Sequence, residues 1–256
     1  MRLFLFALLN GLMLATALQA DEAESGFSDP LAGVPAPLRE AVGKAGRDLG
    51  RWAFTVRTIS RDRKGRVTED TVARYDPSQH YDVQWTLLKK NGKDATEGQI
   101  KKHRKQRVKL EKNRQSLGEL LDLKQARLVE DAPEALTYVV PVRQEDNGRF
   151  PVDKVEVLVR VRADRHELES IELRLREAVR AAVVAKVKRA GAMLYFDQVK
   201  SEFSPALTRI KADLSASVAL IPVEQHTEQM RTEFKRVTPY DERFNVQIGS
   251  LKAIDF

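Results

Sequence analysis

His166-Glu167-Leu168-Glu169-Ser170 opens as a zincin helix does, with a histidine followed by a glutamate able to act as a general base. The second histidine, due one helical turn on, is replaced by Ser170. The flanking residues also alternate as in a strand, where positions four apart are too distant to share a tetrahedral metal. A turn histidine is the expectation. His226 and Glu228 share one strand face, but two ligands do not make a metal site. Gly43-Lys44-Ala45-Gly46 and the residues to Gly50 lack the phosphate-loop order of two glycines followed by Lys and Ser/Thr, so they read as a glycine-containing helix. Glu130 and Asp131 are neighbours whose side chains would leave a strand on opposite faces, which makes them no acid/base pair. No Gly-x-Ser-x-Gly elbow is present. The absence of cysteine excludes thiol nucleophiles, zinc fingers, iron–sulfur centres and disulfide scaffolds. The expectation is a protein that is not an enzyme and needs no cofactor.

The other chemistry is electrostatic. Thr96 and Gln99 stand at capping-box spacing, and no Gly or Pro interrupts Gln99 to Leu117. The helix this predicts carries Lys101, Lys102, Arg104, Lys105, Arg107, Lys109, Lys112 and Arg114 against Glu97 and Glu111, a net +6. Ile100, Val108 and Leu110 make no continuous stripe, which predicts an exposed helix. It has no aromatics for base stacking, so nucleic acid is not expected. Anionic lipid head groups, lipopolysaccharide phosphates or an acidic protein patch suit it better, with Lys101, Lys102, Arg104 and Lys105 as the contacts. A solvated lysine-rich helix that binds nothing is the competing reading.

The location expected for that helix comes from the first residues. Met1-Arg2, the apolar run Leu3 to Leu14 and the small residues toward Ala20 read as a secretory signal peptide cut near Ala20. A run this short is below the roughly 20 apolar residues of a spanning helix. No cysteine follows it to carry a lipid. Cleavage removes one Arg and no acid from a chain of net +7, so everything outside the basic helix sums to zero. At 256 residues with 42% hydrophobic residues, the chain can bury a sizeable core but cannot be a polytopic membrane protein. The expected organisation is a leader at 1–20, a flexible linker at 21–37 and a single domain at 38–256.

The elements that must position these residues are mostly strands. Leu38, Val42, Ala45 and Leu49 recur at helical spacing, with Pro37 in the first turn and Gly50 as the stop. From Trp52 the period becomes two through Phe54, Val56 and Thr58. Lys64-Gly65 predicts a turn into a strand ending at Tyr75-Asp76-Pro77. Val83, Trp85 and Leu87 then alternate toward Asn91-Gly92, a strong hairpin signal. Leu117, Leu120, Leu121 and Leu123 should be buried. Val155 to Val161 and Ile171 to Leu175 alternate with Glu and Arg, as antiparallel strands wet on one face do, with Asp164-Arg165 as the turn. Strand-like runs follow at 182–189, 192–199, 214–223, 228–237 and 244–251, divided by Gly191, Pro205, Pro222 and Pro239. The class is mainly β (α+β): a curved antiparallel sheet with an N-terminal helix and an inserted basic helix.

This order, with the strand opening Arg51-Trp52-Ala53-Phe54 and the local pattern Tyr75-Asp76-Pro77, Trp85-Thr86-Leu87-Leu88, Asn91-Gly92-Lys93, resembles the LolA-like half-barrel proteins of the bacterial periplasm. The resemblance implies a highly curved sheet whose apolar concave face, covered by helices, holds an acyl chain or a peptide. It implies a periplasmic carrier or sensor of lipid or lipoprotein, and no functional residue of the family can be matched here. Independently, Trp52, Phe54, Val56, Trp85 and Leu87 share strand parity and are large enough to line such a hollow. Packed core is the favoured reading of all five, since an apolar strand face must be covered whether or not a ligand exists, and a sheet filled by its own side chains would make the protein an interaction or structural module without a ligand.

Overall fold

The computed structural model describes residues 31–112, 120–143, 151–182, 185–219 and 221–244. The leader expected at 1–20, Leu117 and most of the run expected at 244–251 lie outside them. Among the described residues, no helix is long and apolar enough to cross a membrane.

The chain begins with helix α1, Ala36–Leu49, where Pro37 sits in the first turn and Gly50 ends the helix. Strands β1 (Trp52–Asp62), β2 (Val67–Tyr75), β3 (Trp85–Lys90) and the two-residue β4 (Lys93–Asp94) form consecutive hairpins. Gly65 takes a φ of 75° in the first turn, and Asn91 and Gly92 take 50° and 79° in the last, the left-handed pair that a two-residue hairpin requires. Helix α2, Glu97–Lys112, follows. Then come β5 (Arg127–Asp131), β6 (Ala135–Val139), β7 (Val155–Arg162), β8 (Glu167–Leu175), β9 (Val179–Ala182), β10 (Ala185–Asp197), β11 (Ala206–Val218), β12 (Ile221–Arg236) and the short α3 (Tyr240–Phe244).

All twelve strands belong to one curved, open antiparallel sheet in the order β4-β3-β2-β1-β12-β11-β10-β8-β7-β6-β5, with β9 beside β10. The mainly β class with a half-barrel sheet is thereby shown. First and last strands meet in its middle, where β1 pairs with β12 from Trp52↔Arg236 to Asp62↔Gln225.

Several runs close differently from the sequence expectation. Gly191 does not divide two strands: it lies inside β10, and a Cβ there would meet the carbonyl of Leu173 at 3.4 Å. The run expected at 214–223 contains a hairpin instead, with Ala219 at φ 48° between β11 and β12. Pro222 is inside β12 because that stretch runs past the end of β1, so no ladder bond is asked of its nitrogen on that side. Helix α1 begins two residues before Leu38, and Val34 ahead of it is buried, so packing starts within the stretch expected to be linker.

Directly opposed residues of paired strands share a face. On that basis Val56, Arg231, Gln229, Ile210 and Leu194 all lie on one side of the sheet. Both long helices cover this side. Helix α1 lies over β7, β8 and β11 and buries Leu38, Ala41, Val42 and Ala45 against Val157, Val159, Ile171, Leu194 and Ile210. Leu121 and Leu123, from the leucine cluster, join this core. Helix α2 lies over β3 and a second core. Between the two cores runs a polar strip of buried Ser60, Thr227 and Gln229, with Ser60 Oγ 3.1 Å from Thr227 Oγ1. The opposite side is wet, as its alternating charges predict. Glu156 bridges Arg174 and Arg176, and Arg160 reaches both Glu130 and Glu169.

Candidate functional site

The five residues expected to line a hollow, Trp52, Phe54, Val56, Trp85 and Leu87, are brought together, at 1%, 4%, 3%, 7% and 4% exposure. Their neighbours are this chain's own rings. Trp52 meets Phe203 edge-on at 5.5 Å and Phe234 at 6.0 Å. Phe54 touches Tyr75 at 5.2 Å and Trp85 at 6.2 Å, while Tyr75 and Trp85 lie 4.8 Å apart. Guanidinium groups close the cluster: Arg231 stands 4.4 Å over Phe54, and Arg236 stands 5.3 Å from Trp52 and 4.4 Å from Phe203. Each such contact is worth about 0.5–2 kcal/mol, more when shielded from water. Arg236 is held in turn by Asp48 at the end of α1, with Nη2 to Oδ1 at 2.5 Å. Burial pushes the Asp48 carboxyl up, but hydrogen bonds from the Ser204 amide and Arg236 outweigh it and leave Asp48 below its ordinary range.

Helix α2 seals the aromatic nest. Its capping box forms as the spacing predicts: the Thr96 amide donates to Gln99 Oε1 at 3.1 Å, and the Gln99 amide to Thr96 Oγ1 at 3.4 Å. Yet the helix is not exposed all round. Ile100, His103, Arg104, Arg107 and Val108 are half-buried, while Lys101, Lys102, Lys105 and Lys109 face water. Of the four residues expected to contact an anionic surface, Lys101, Lys102 and Lys105 are exposed and Arg104 is half-buried. The inner face escaped notice because it is made of histidine and arginine, whose flat or aliphatic parts cover rings while charge is led outward. Arg107 stacks over Trp85 at 4.1 Å, and its Nε donates to His103 Nε2 at 3.5 Å. His103 meets Trp85 edge-on at 6.3 Å. Burial, helped by the charges of Arg107 and Lys90, pushes the His103 imidazole down to about 4, so it is neutral at pH 7.

The remaining motif residues have structural partners. His166 stands in a turn at φ 47°, with Nδ1 2.7 Å from Glu40 Oε2. His226 pairs across strands with Asp213 at 2.5 Å on the wet side. Glu130 accepts from Thr137 and Arg160, whereas Asp131 lies opposite Leu136. No group of three or more His, Asp or Glu among the described residues could hold a metal.

No protein-family model matches the chain, and no curated protein matches it either.

Proposed function

We propose that this chain is a non-enzymatic, exported module that docks on an anionic lipid surface through the outer face of α2. One observation carries the reading: Lys101, Lys102 and Lys105 are exposed on a helix anchored by its other side, and none has an acidic partner among the described residues. Each lysine held near an anionic membrane contributes up to about 1 kcal/mol, enough in combination for weak, reversible attachment. Export follows from the leader at Met1 to Ala20, and the curved sheet is in keeping with the LolA-like half-barrels of the periplasm.

The test is co-sedimentation with anionic and neutral vesicles over a salt series. Binding should be confined to anionic vesicles and should weaken as the Debye length shrinks below about 8 Å. A variant with Lys101, Lys102 and Lys105 changed to Gln should lose it. Equal binding to both vesicle types, or retention by the variant, overturns the reading, and capture by an acidic protein alone would replace the membrane as the partner.

A second reading, an acyl chain or lipidated partner held within the apolar face, has one observation in its favour. Among the described apolar residues of the aromatic core, α2 supplies only Ile100, so the rings it covers are held down mainly by polar side chains, and an acyl chain could replace that cover with apolar contact. Lipid extraction and mass spectrometry of the purified protein tests it. Absence of lipid, with no uptake of a fluorescent fatty acid, leaves the face as core.

A further inference from the structure

The seam between α2 and β3 carries hydrogen-bond donors with nothing to donate to. Trp85 Nε1, His103 Nδ1 and Arg104 Nε are buried and lack a partner. An indole N–H and a guanidinium Nε–H can only donate. The histidine is fixed as a donor too: Arg107 Nε donates to its Nε2, so the neutral ring carries its proton on Nδ1. Three donors therefore occupy one seam, beside the charges of Arg104, Arg107 and Lys90. Leaving a buried donor unsatisfied forfeits its bonds to water with no return, and a native seam that gathers three is short of an acceptor. Asp82, Asp94 and Glu97, acidic residues close to these donors in sequence, are all exposed.

We infer that the α2–β3 seam binds a phosphate-type oxyanion, with Trp85, His103 and Arg104 as donors and Lys90 and Arg107 supplying charge. An oxyanion offers several acceptor lone pairs, and hydrogen bonds to a charged group are roughly twice as strong as neutral ones. Arg104 is a half-buried side chain on a flexible stem, so its guanidinium can turn toward an ion while Arg107 stays on His103 and Trp85. The inference rests on the docking reading of α2 and deepens it, since the head group of an anionic lipid and a free phosphoester present the same chemistry.

The two tryptophans make the test direct. Trp52 Nε1 is also buried without a partner, but it lies deeper in the nest against Phe203 and Phe234, which makes it an internal control. In nitrogen-15 NMR spectra, inorganic phosphate should move the Trp85 indole N–H signal while leaving that of Trp52 in place. It should also raise the pH at which His103 titrates. Arg104→Gln should weaken phosphate binding by about tenfold or more, and Arg104→Lys, which keeps the charge without the Nε–H, by less. Lys64→Gln, an exposed lysine in the β1–β2 turn, should leave it unchanged.

Short-chain phosphatidylglycerol and phosphatidylcholine form the second arm. A Trp85 response to phosphatidylglycerol but not to free phosphate assigns the seam to a lipid head group. A response to free phosphate without binding to anionic vesicles keeps the seam and removes the docking reading. Vesicle binding with the Trp85 signal unmoved by every anion overturns the seam and leaves docking standing. Equal shifts of Trp52 and Trp85, or full affinity in Arg104→Gln, overturn it as well.

Discussion

Asp48 and Arg236 are 188 residues apart, and no spacing rule connects them, yet they join the end of α1 to the end of β12 beside Trp52. Such a pair is invisible in sequence because its partners are chosen by the sheet order and not by local periodicity. Both side chains are largely shielded, Asp48 at 16% and Arg236 at 22% exposure, so removing one leaves the other without its counter-charge. Asp48→Asn should cost about 1–3 kcal/mol, read from the urea midpoint, and Arg236→Ala more because two ring contacts go with the charge. The aromatic residues were legible as a set through strand parity, but parity could not say whether they line a hollow or fill a core. Trp85→Ala should cost about 3–5 kcal/mol, whereas Leu88→Ala on the same strand, 41% exposed, should cost well under 1 kcal/mol. A small loss at Trp85 would mean that its ring is not core.

At the scale of elements, local chemistry was the readable part. The Asn91-Gly92 turn, the Lys64-Gly65 turn and the capping box at Thr96 each form because a few adjacent residues decide them. Strand ends were less readable, because Gly191 and Pro222 break strands only where the neighbouring ladder needs a side chain or an N–H, and here neither does. The inner face of α2 was missed for a related reason. Hydrophobic periodicity does not count the ring of His103 or the stem of Arg107, though these cover Trp85. Helix α1 holds a residue whose type can be improved. A Cβ at Gly43 would meet nothing within 4 Å, and the position is helical. Gly43→Ala should therefore raise stability by up to about 1 kcal/mol, through helix propensity and a less flexible unfolded chain. A fall in the urea midpoint would mean that the position is closer to a neighbour than the helix geometry allows.

For the whole molecule, the two cores differ in how acid reaches them. Curvature and the β1–β12 junction, which puts both cores on one face with the polar Ser60–Thr227 strip between, depend on pairing between chain ends and carry no local signal. The core under α2 contains His103, whose folded value of about 4 lies below its ordinary 6.5. A base held neutral by burial binds fewer protons folded than unfolded between those two values. Stability should thus be complete above pH 6.5, fall as pH drops from 6.5 to 4, and stop falling on this account below 4. The loss is at most about 3 kcal/mol by linkage, and less because the residue is only half-buried. The carboxylates act in a lower window with the opposite kind of shift. Asp48 is lowered despite its burial, by Ser204 and Arg236, and Glu156 by Arg176 and Arg174, so their stabilisation is present above the ordinary carboxylate range and is lost as pH falls through their depressed folded values. Two separate acid steps follow, and one substitution tells them apart. His103→Gln removes the titrating group but keeps a neutral polar side chain, so a plot of unfolding free energy against pH should flatten between 4 and 6.5 while the lower step persists. An unchanged slope in that range would show that His103 is not held neutral beneath α2, and would withdraw with it the donor assignment on which the oxyanion seam depends.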